Sequence, residues 1–385
     1  MKVKGMFNVV LLGIVSFLND VSSEMIFPIL PLFLVDLGAS SVAIGLIGGA
    51  RDSITSLIKV VSGFFSDKTG RRKIYVFSGY FTSAISKFLL AFSRIWQHAL
   101  AFVSLERTGK GIRDAPRDAI IAESMPDHRG KGFGIHRALD TTGAVLGSLA
   151  CLLLFWIWGL SFKTIILAAG LISFVSLFPL HFVRETRKKP RKIGFSLALE
   201  KIPKRVRIAI FIVAIFALAN FSYMFFILKA IEMFNGFVNA RQSAIFAIAF
   251  YVLYNVFYAA FSIPFGKLAD SIGKTKVLAI GYCLFAFTAL AFALFNSWKI
   301  YMFLFICYGL VYALVEGNQR AFIADLSPEK IRATCLGAFH TTIGLVALPA
   351  SLIAGLLWKI SSVYTFLFGS IVAGIAAILI SNFKD

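Results

Sequence analysis

Two carboxylates one helical turn apart are the first residues in the chain whose spacing suggests chemistry. Asp20 and Glu24 lie i, i+4 within an apolar run at 6–35, so a helix would present both on one face. Two carboxylates held together in a low-dielectric setting repel each other and resist simultaneous ionisation. One of them could therefore bind a proton and later release it, which predicts a proton-coupling pair. The alternative, permanent neutralisation by Arg51 or Arg107, stays open.

Other charged residues also fall inside apolar runs, where facing lipid would cost each at least about 2–3 kcal/mol. They are therefore expected to face a cavity or one another. Arg51, Asp52 and Arg107 are predicted near the middle of their helices, where a substrate path would run. The charged residues predicted nearer the helix ends, chiefly as a gate or a structural ion-pair network, are Asp114, Arg117, Asp118 and Asp140.

In the second half of the chain, tyrosines take the place of these charges. Tyr251, Tyr254 and Tyr258 are spaced i, i+3, i+7, which places them on one stripe of a helix. Such a stripe can stack on an organic solute while its hydroxyls form hydrogen bonds, although core packing explains the same spacing. Lys229 is a candidate counter-ion for an anionic solute, unless it snorkels or pairs locally. The predicted substrate cavity comprises Asn19, Arg51, Asp52, Arg107, Asn220, Lys229, Tyr251, Tyr254, Asn255 and Tyr258.

The elements that must hold these residues are membrane-crossing helices. Apolar residues make up 58% of the 385-residue chain and charged residues 15%. Average soluble proteins have roughly half and about 25%, so this chain has too few polar residues to cover soluble domains. A crossing helix needs about 20 apolar residues, and the sequence predicts an all-α polytopic membrane protein with twelve transmembrane helices. The apolar runs lie at 6–35, 41–66, 74–93, 98–122, 134–159, 163–183, 206–231, 241–265, 277–297, 300–324, 333–358 and 361–382.

The net charge of +20, from 39 Lys and Arg against 19 Asp and Glu, is mostly a topology signal. The cations concentrate in alternate connections, and cytoplasmic connections of membrane proteins carry such an excess. This distribution predicts an integral protein of the cytoplasmic membrane with both termini in the cytoplasm, and it removes the reason to invoke nucleic acid. The His and Cys residues lack the spacing of a zinc site or a disulfide framework, and no phosphate loop occurs, so no metal or cofactor is expected.

Two sequence patterns recur at a nearly constant shift. Residues 63–71, GFFSDKTGR, recur as 266–274, GKLADSIGK, and residues 121–126, IAESMP, recur as 323–328, IADLSP. Two matches at one period indicate an internal duplication, and duplicated bundles with a solute path between them are an architecture of secondary transporters. The predicted parts are a six-helix bundle at 1–183, a basic cytoplasmic linker at 184–205 and a pseudo-symmetric six-helix bundle at 206–385.

With these motifs, the chain resembles the major facilitator superfamily over nearly its whole length. The pattern Gly-x-x-x-Asp-x-x-Gly-Arg-Arg at 63–72 is similar to that family's signature loop, and RTGKG at 107–111 is similar to its Arg-x-x-x-Gly motif. The resemblance implies the major facilitator fold, and the run 107–123 is most similar to a prokaryotic branch of unassigned substrate. One departure is that helix five carries Gly143 and Gly147 without the Gly-Pro element of the family's drug antiporters.

The resemblance also implies a cytoplasmic gate that favours the outward-facing state. Asp67 would lie against the positive N-terminus of the helix that starts near Arg332, and Arg71 would pair with Glu123. A static solvated turn is the alternative interpretation of this loop. The residues assigned to the gate are Gly63, Asp67, Gly70, Arg71, Glu123, Asp114, Arg117, Asp118, Asp140, Asp270, Glu316 and Arg320.

The predicted function is secondary active transport of a small polar or amphipathic organic solute by alternating access, coupled to protons, with antiport or efflux favoured. The alternative is a proton-coupled importer, or a uniporter, of a small anionic solute. An intramembrane enzyme is a remote third hypothesis, because the sequence shows no arrangement of nucleophile and base. We expect a small-molecule substrate, protons and membrane lipid as partners, no nucleic acid, and a monomer.

Overall fold

Helices account for the regular structure of the chain. The computed structural model describes residues 2–185 and 202–383, and these ranges contain α-helices, short 3-10 turns and no β-strand. The helices of the first half are α1 (Lys2–Ile26), α2 (Leu30–Asp36), α3 (Ser41–Thr69), α4 (Arg72–Leu90), α5 (Trp96–Ser124), α6 (Arg129–Trp156), α7 (Phe162–Val175) and α8 (Leu177–Phe182). Those of the second half are α9 (Lys204–Ala219), α10 (Met224–Phe234), α11 (Ala240–Ile272), α12 (Lys274–Leu294), α13 (Trp298–Leu326), α14 (Arg332–Ile360) and α15 (Ser362–Ser381).

Three of the predicted apolar runs are each split into two helices. Pro28 lies in the break between α1 and α2, where proline interrupts the backbone hydrogen bonds of a helix. The other breaks separate α7 from α8 and α9 from α10. In the described part of the chain, nine stretches are long and apolar enough to cross a membrane. The helices α3, α4 and α5 fall outside that set because charged and polar residues lower their hydropathy, so the number of twelve crossings stays a prediction.

The described residues pack as two compact units, and α3 contributes to both. Ala39–Ser53 groups with the second half, whereas the rest of α3 groups with the first half. In the second unit, the hydroxyl of Ser41 donates to the carbonyl oxygen of Gly355 at 2.9 Å. A Cβ on Gly49 would lie 2.7 Å from the Cα of Leu348, so this approach to α14 requires glycine. The predicted linker at 184–205 lies largely outside the described residues.

Glycine ends two corresponding helices, one in each half. Gly70 follows α3 with φ 66°, and Gly273 follows α11 with φ 99°. Residues with a side chain adopt such positive φ values only at a steric cost, which glycine avoids. The repeated loop motif therefore needs its second glycine to redirect the chain into α4 and α12.

Close packing of α1 on α6 depends on two further glycines. A Cβ on Gly143 would lie 2.6 Å from the carbonyl oxygen of Phe17, and one on Gly147 would lie 2.9 Å from the Cβ of Glu24. Both distances are shorter than real contacts allow, so larger side chains would push the helices apart. These glycines let the polar faces of α1 and α6 meet.

The core of the second unit is built from packed aromatic rings. The ring of Phe226 lies 4.1 Å from that of Tyr308 and 5.1 Å from that of Phe366, between centroids. Phe292 lies 5.2 Å from Phe366. Each such pair contributes about 0.5–1.5 kcal/mol beyond the area that it buries. Aromatic packing therefore stabilises the core of this unit.

Candidate functional site

Asp20 on α1 and Asp140 on α6 are the acidic residues that the first unit brings together. Their carboxyl groups form a hydrogen bond with each other. Asp140 also accepts from the hydroxyl of Ser16 at 2.6 Å and pairs with the guanidinium of Arg137 at 3.3 Å. Because carboxylates only accept hydrogen bonds, a bond between two carboxyl groups requires a proton on one of them. This pair can therefore hold a proton between two helices.

Glu24, the expected partner of Asp20, lies one turn farther along α1. Its Cβ packs against the position of Gly147, whereas the carboxyl of Asp20 is engaged by Asp140. Side chains at i and i+4 share a face, but that spacing does not decide which one meets a third residue across the helix interface. The pairing of Asp20 and Asp140 comes from the tertiary contact between α1 and α6.

A buried lysine connects α4 to the same segment of α1. The ammonium of Lys87, which is 2% exposed, donates to both the backbone oxygen and the side-chain oxygen of Asn19, each at 3.1 Å. The hydroxyl of Ser173 on α7 donates to the same side-chain oxygen at 3.3 Å. Asn19, which was assigned to the substrate cavity, is thus a buried acceptor for Lys87 beside Asp20.

The charged residues of α5 largely neutralise one another along the helix. Arg107 contacts the carboxylate of Glu106 at 2.7 Å, and its guanidinium lies over the ring of Phe27, 4.9 Å from the centroid. Arg117 pairs with Asp118 at 2.9 Å and with Asp114 at 3.5 Å. Asp114, Arg117 and Asp118, which were predicted as part of a gate or a structural ion-pair network, therefore form local ion pairs on α5.

Arg113 occupies a neighbouring position between α5 and α4. It is almost fully buried, donates to the hydroxyl of Ser83 and lies over the ring of Tyr80 at 4.3 Å from its centroid. Cation–π contact and a hydrogen bond together offset part of the cost of burying this charge.

The part of α3 that belongs to the second unit carries Arg51 and Asp52. The guanidinium of Arg51 is buried and lies over the ring of Tyr223 at 4.8 Å from its centroid. Asp52 is exposed. The tyrosine-rich region of the second unit therefore has one cationic neighbour on α3.

The predicted tyrosine stripe exists and extends onto a second helix. Ring centroids of Tyr251 and Tyr254 are 5.5 Å apart, and those of Tyr254 and Tyr258 are 6.2 Å apart. Tyr312 on α13 lies 5.4 Å from Tyr254, and its hydroxyl shares a 3.4 Å hydrogen bond with the amide of Asn220. Tyr258 donates its hydroxyl hydrogen bond to the carboxylate of Glu316. Asn255 is buried on the same helix.

A cavity of about 230 Å³ lies within the second unit, lined by α9, α13 and α14. Glu316 and Arg320, which were assigned to the gate, both line it, as does Asn220 from the predicted substrate cavity. The other polar lining residues are Tyr312, Gln319 and His340. The cavity therefore collects an acid, a base, an imidazole and two amides within apolar walls.

Lys229 lies apart from this cavity and is paired locally. Its ammonium contacts the carboxylate of Glu232 at 3.1 Å and the hydroxyl of Ser362 at 2.7 Å. The same hydroxyl donates to Glu232 at 2.8 Å. This closed triangle matches the local pairing that was the alternative to a role as counter-ion.

The repeated loops form two equivalent ion-pair clusters. In the first loop cluster, Arg72 contacts Asp67 at 2.7 Å and Glu123 at 2.5 Å. Arg72 therefore takes the place that was expected for Arg71, which is exposed at the N-cap of α4, because the helix begins one residue later. In the first turn of α4, Arg72 lies within reach of both carboxylates.

The second loop cluster has the same arrangement in the other unit. Lys274 contacts Asp325 at 2.6 Å and Asp270 at 3.5 Å. In both clusters a cation in the first turn of a helix bridges the acid of the loop motif and the acid at the end of another helix. Gly63 packs on α5, where a Cβ would lie 3.3 Å from that of Ala115.

Sequence comparison decides the family of this duplicated helical protein. The profile of the Major Facilitator Superfamily matches the chain twice, at residues 12–251 and 210–383. The chain belongs to this superfamily. An MFS-type transporter of Methanocaldococcus jannaschii is 53% identical over 374 residues, which cover 97% of this chain and 94% of that protein.

More distant relatives of this Major Facilitator Superfamily chain include transporters of different kinds. The multidrug resistance protein MdtG of Klebsiella pneumoniae is 30% identical over 176 residues, 44% of this chain and 42% of that protein. The crystal structure of the nucleoside transporter NupG matches with a TM-score of 0.80 at 15% identity, over 98% of both chains. That likeness confirms the major facilitator fold.

Family membership also settles the class of activity. The chain is an integral membrane transporter with a small-molecule substrate, and it is not an enzyme. Its apolar helices and the charges that they hold are therefore parts of a transport path or of its supporting structure.

Several residues of the transporter's candidate site were not assigned from sequence. Along α13, four side chains of the site recur at every fourth position: Tyr308, Tyr312, Glu316 and Arg320. Residues i and i+4 share one face of a helix, so this spacing would have placed the tyrosines beside the charged pair. Lys87 stood out only as a charge inside an apolar run. Ser16 and His340 gave no sequence signal, because their importance comes from contacts across helices. The unassigned residues are Ser16, Lys87, Tyr308, Tyr312 and His340.

Proposed function

We propose that this protein is a proton-coupled antiporter that exports a small polar or amphipathic organic solute across the cytoplasmic membrane by alternating access. The observation that carries the proton coupling is the hydrogen bond between the carboxyl groups of Asp20 and Asp140. Such a pair holds one proton while the two helices are together and must exchange it when water or a counter-charge reaches either acid. Movement of α1 against α6 would then couple proton release to the transport cycle.

The residues around this pair support a proton site rather than a fixed ion pair. Lys87 is held by Asn19 through two hydrogen bonds, and Arg107 is in contact with Glu106. Arg107, which was expected as a permanent counter-ion of Asp20, therefore has a partner of its own. The cations whose charges act on Asp20 are Lys110 and Arg113, and Arg113 is held by Ser83 and Tyr80. Arg137 contacts Asp140 at 3.3 Å, and the charge of Arg117 also acts on that carboxyl group. Proton coupling therefore moves from the predicted pair of Asp20 and Glu24 to Asp20 and Asp140.

Export is favoured by the partial similarity to a multidrug resistance protein. The cation-rich connections favour cytoplasmic termini, and the presence of both repeats in one chain favours a monomer as the working unit. Membrane lipid is the remaining partner of the apolar outer surface.

The proton site can be tested without knowing the solute. Infrared difference spectra of the purified protein across a pH titration should contain the carbonyl band of a protonated carboxyl group. Asp20→Asn and Asp140→Asn should each remove that band, and the matched variant Glu24→Gln should retain it. A band that survives in both aspartate variants would remove this pair as the proton carrier.

Transport coupling needs proteoliposomes that enclose a pH-sensitive dye. We would add L-phenylalanine, ethidium or uridine, which represent a zwitterion, an organic cation and a nucleoside, and record solute-dependent changes of internal pH. Asp20→Asn and Asp140→Asn should lose proton movement by at least about tenfold yet keep solute exchange, since exchange does not require net proton release. Undiminished proton movement in both variants would contradict the coupling mechanism.

A further inference from the structure

A buried imidazole lies one helical turn from the pair of carboxyl groups between α1 and α6. His136 is 5% exposed, and it precedes Asp140 by four residues on α6. Residues at i and i+4 share a face of a helix and lie about 6 Å apart along its axis. We propose that His136 relays the proton between Asp140 and water at the cytoplasmic end of α6. This inference rests on the proposed function, because it names the route by which the pair of Asp20 and Asp140 releases its proton.

One ring nitrogen of His136 is available for a proton. Within the described residues, its Nε2 atom is buried and has no hydrogen-bond partner. The large majority of buried polar side-chain atoms have such a partner, so an exception calls for an explanation. A histidine with a purely structural role would be expected to satisfy this nitrogen, since a buried group without a partner destabilises the fold. The Nε2 atom can therefore accept a proton or pass one on.

The direction of the side chains along α6 places the ring between the acidic pair and one end of the helix. Side chains of a helix lean toward its N-terminus, so the carboxyl of Asp140 leans toward His136 and the ring of His136 leans toward the turn of Gly132. Gly132 adds no side chain over the ring. The helix begins at Arg129, at the end that the cation-rich connections assign to the cytoplasm. A proton that leaves Asp140 toward the cytoplasm therefore meets the imidazole first.

Among the neighbours of Asp140, the imidazole is suited to exchange a proton. The groups whose charges act on the Asp140 carboxyl include the guanidinium groups of Arg117 and Arg137 and the imidazole of His136. A guanidinium group stays protonated in proteins, so it cannot take up a further proton. An unperturbed imidazole gains and loses its proton between about pH 5 and 8. The proton of the pair therefore passes to His136 rather than to either arginine.

Charged side chains of α5 and α6 permit a short-lived imidazolium ion at His136. Burial and the positive charge of Arg117 disfavour that ion, so the ring does not retain the proton. The negative charges of Asp140, Asp118 and Asp114 favour the ion and lower the cost of forming it. A group that can bind a proton but does not keep it meets the requirement for a relay.

Each step of the relay conserves protons and charge. The two carboxyl groups of the pair exchange the proton across their hydrogen bond. The O–H bond on Asp140 then breaks while an N–H bond forms on His136, which leaves a carboxylate and an imidazolium ion. The imidazolium ion gives a proton to water and returns to the neutral ring. The charges of Arg117 and Arg137 stabilise the carboxylate that remains on Asp140.

Hydrogen exchange at the pair tests the relay without a solute. When the purified full-length transporter is transferred from ordinary water to deuterium oxide, the infrared band of the protonated carboxyl group shifts to lower frequency. The rate of this shift measures proton exchange between the pair and water. His136→Gln should keep the band and slow the shift at least about tenfold, because a group that transfers protons contributes at least that much to the rate. The matched control His98→Gln, at an exposed histidine of α5, should leave the rate unchanged.

Chemical rescue separates a proton carrier from a structural residue. His136→Ala leaves space for a free imidazole molecule, which should restore the exchange rate to near that of the unaltered protein. Pyrazole has nearly the same size and shape but is a much weaker base, so it should not restore the rate. Restoration by both compounds, or by neither, would show that His136 does not carry the proton and would overturn the relay.

The remaining outcomes distinguish the relay from the proposed proton pair. An unchanged exchange rate in His136→Gln overturns the relay. Loss of the band in both His136 variants also overturns it, because the residue would then support the structure of the pair. If Asp20→Asn and Asp140→Asn remove the band in either case, the pair stands and releases its proton by another route. A band that persists in both aspartate variants refutes the pair and the relay together.

Discussion

The two halves of this transporter build nearly the same loop cluster and very different interiors. Arg72 in one half and Lys274 in the other each bridge two acids, after a glycine with positive φ. The interior of the first unit holds buried charged side chains on α1, α4, α5 and α6. Asp20 meets Asp140, Lys87 binds Asn19, and the charges of α5 pair mainly along that helix. The interior of the second unit is dominated by rings of tyrosine and phenylalanine around α11 and α13.

The difference shows which parts of a duplicated fold are constrained by geometry. A loop that must redirect the chain within a few residues depends on backbone conformation, so the same glycine occurs in both halves. The bridging cation is the first residue of the following helix in each half, two residues after Gly70 in one and one residue after Gly273 in the other. An interior helix position accepts any side chain that finds a partner, charged or aromatic. The interiors were therefore free to specialise, and we propose that the first carries the proton and the second binds the solute.

The largest expected effect is a loss of stability that is greater for a variant in the first interior than for one in the second. Lys87→Met removes a buried ammonium and both of its hydrogen bonds to Asn19, whose side-chain oxygen keeps only the hydroxyl of Ser173. We therefore expect a loss of about 3 kcal/mol in the free energy of unfolding. Tyr308→Phe in the other unit removes only a 3.4 Å hydrogen bond to Tyr312 and should cost at most about 1 kcal/mol. Unfolding of the purified variants in one detergent measures both.

Lys163→Met serves as the control for this comparison, because Lys163 is exposed and the same side chain is exchanged. It should leave stability nearly unchanged. Similar losses for Lys87→Met and Tyr308→Phe would show that the buried charge is no more important than a tyrosine hydroxyl, and the contrast between the interiors would not hold.

A smaller effect is expected where α1 packs on α6. Gly143→Ala would place a Cβ 2.6 Å from the carbonyl oxygen of Phe17, so the helices must separate at a cost of about 1–3 kcal/mol. The same shift should weaken the contact of Asp20 with Asp140 and reduce the infrared band described above. Measurement of both quantities on one variant links the packing to the proton site.

Gly134→Ala in α6 and Gly337→Ala in α14 are matched controls, one in each unit. No heavy atom lies within 4 Å of a Cβ at either position. In a helix interior alanine is more favourable than glycine by up to about 1 kcal/mol, so both variants should be neutral or more stable. Destabilisation of these controls by as much as Gly143→Ala would attribute the effect to glycine in general rather than to the contact with Phe17.

The sequence was sufficient for the fold because its signals are local or repeated. Apolar runs predicted the helices, and the duplicated motif predicted two related halves of the superfamily fold, which the family match confirms. The helix breaks near Pro28, Ser176 and Asn220 were not predicted, since apolar content continues across them. Periodicity placed the tyrosine stripe of α11 correctly on one face, but it could not show that α13 extends the stripe.

The candidate site was harder to predict because its pairs are set by tertiary contacts. Asp20 and Asp140 are 120 positions apart, and nothing in either segment indicates that two glycines of α6 bring them together. The start of α4 at Arg72 determines which of two adjacent arginines meets Glu123. Glu316 and Arg320, which were assigned to the gate, both line a cavity, and their roles stay predictions until binding is measured.

The smallest expected effects concern the two loop clusters, where the halves are most alike. Arg72→Ala and Lys274→Ala should each cost less than about 1 kcal/mol, because their partners are well exposed and water and salt screen the attraction. Arg72 has the less exposed partners, with Asp67 and Glu123 at 48% and 36% against 75% and 62% for those of Lys274. The Arg72 variant should therefore be the more damaging of the two, and the difference should shrink as salt is raised. Unfolding measured at low and high ionic strength tests this order, and a larger, salt-independent loss at Lys274 would mean that the clusters differ in more than exposure.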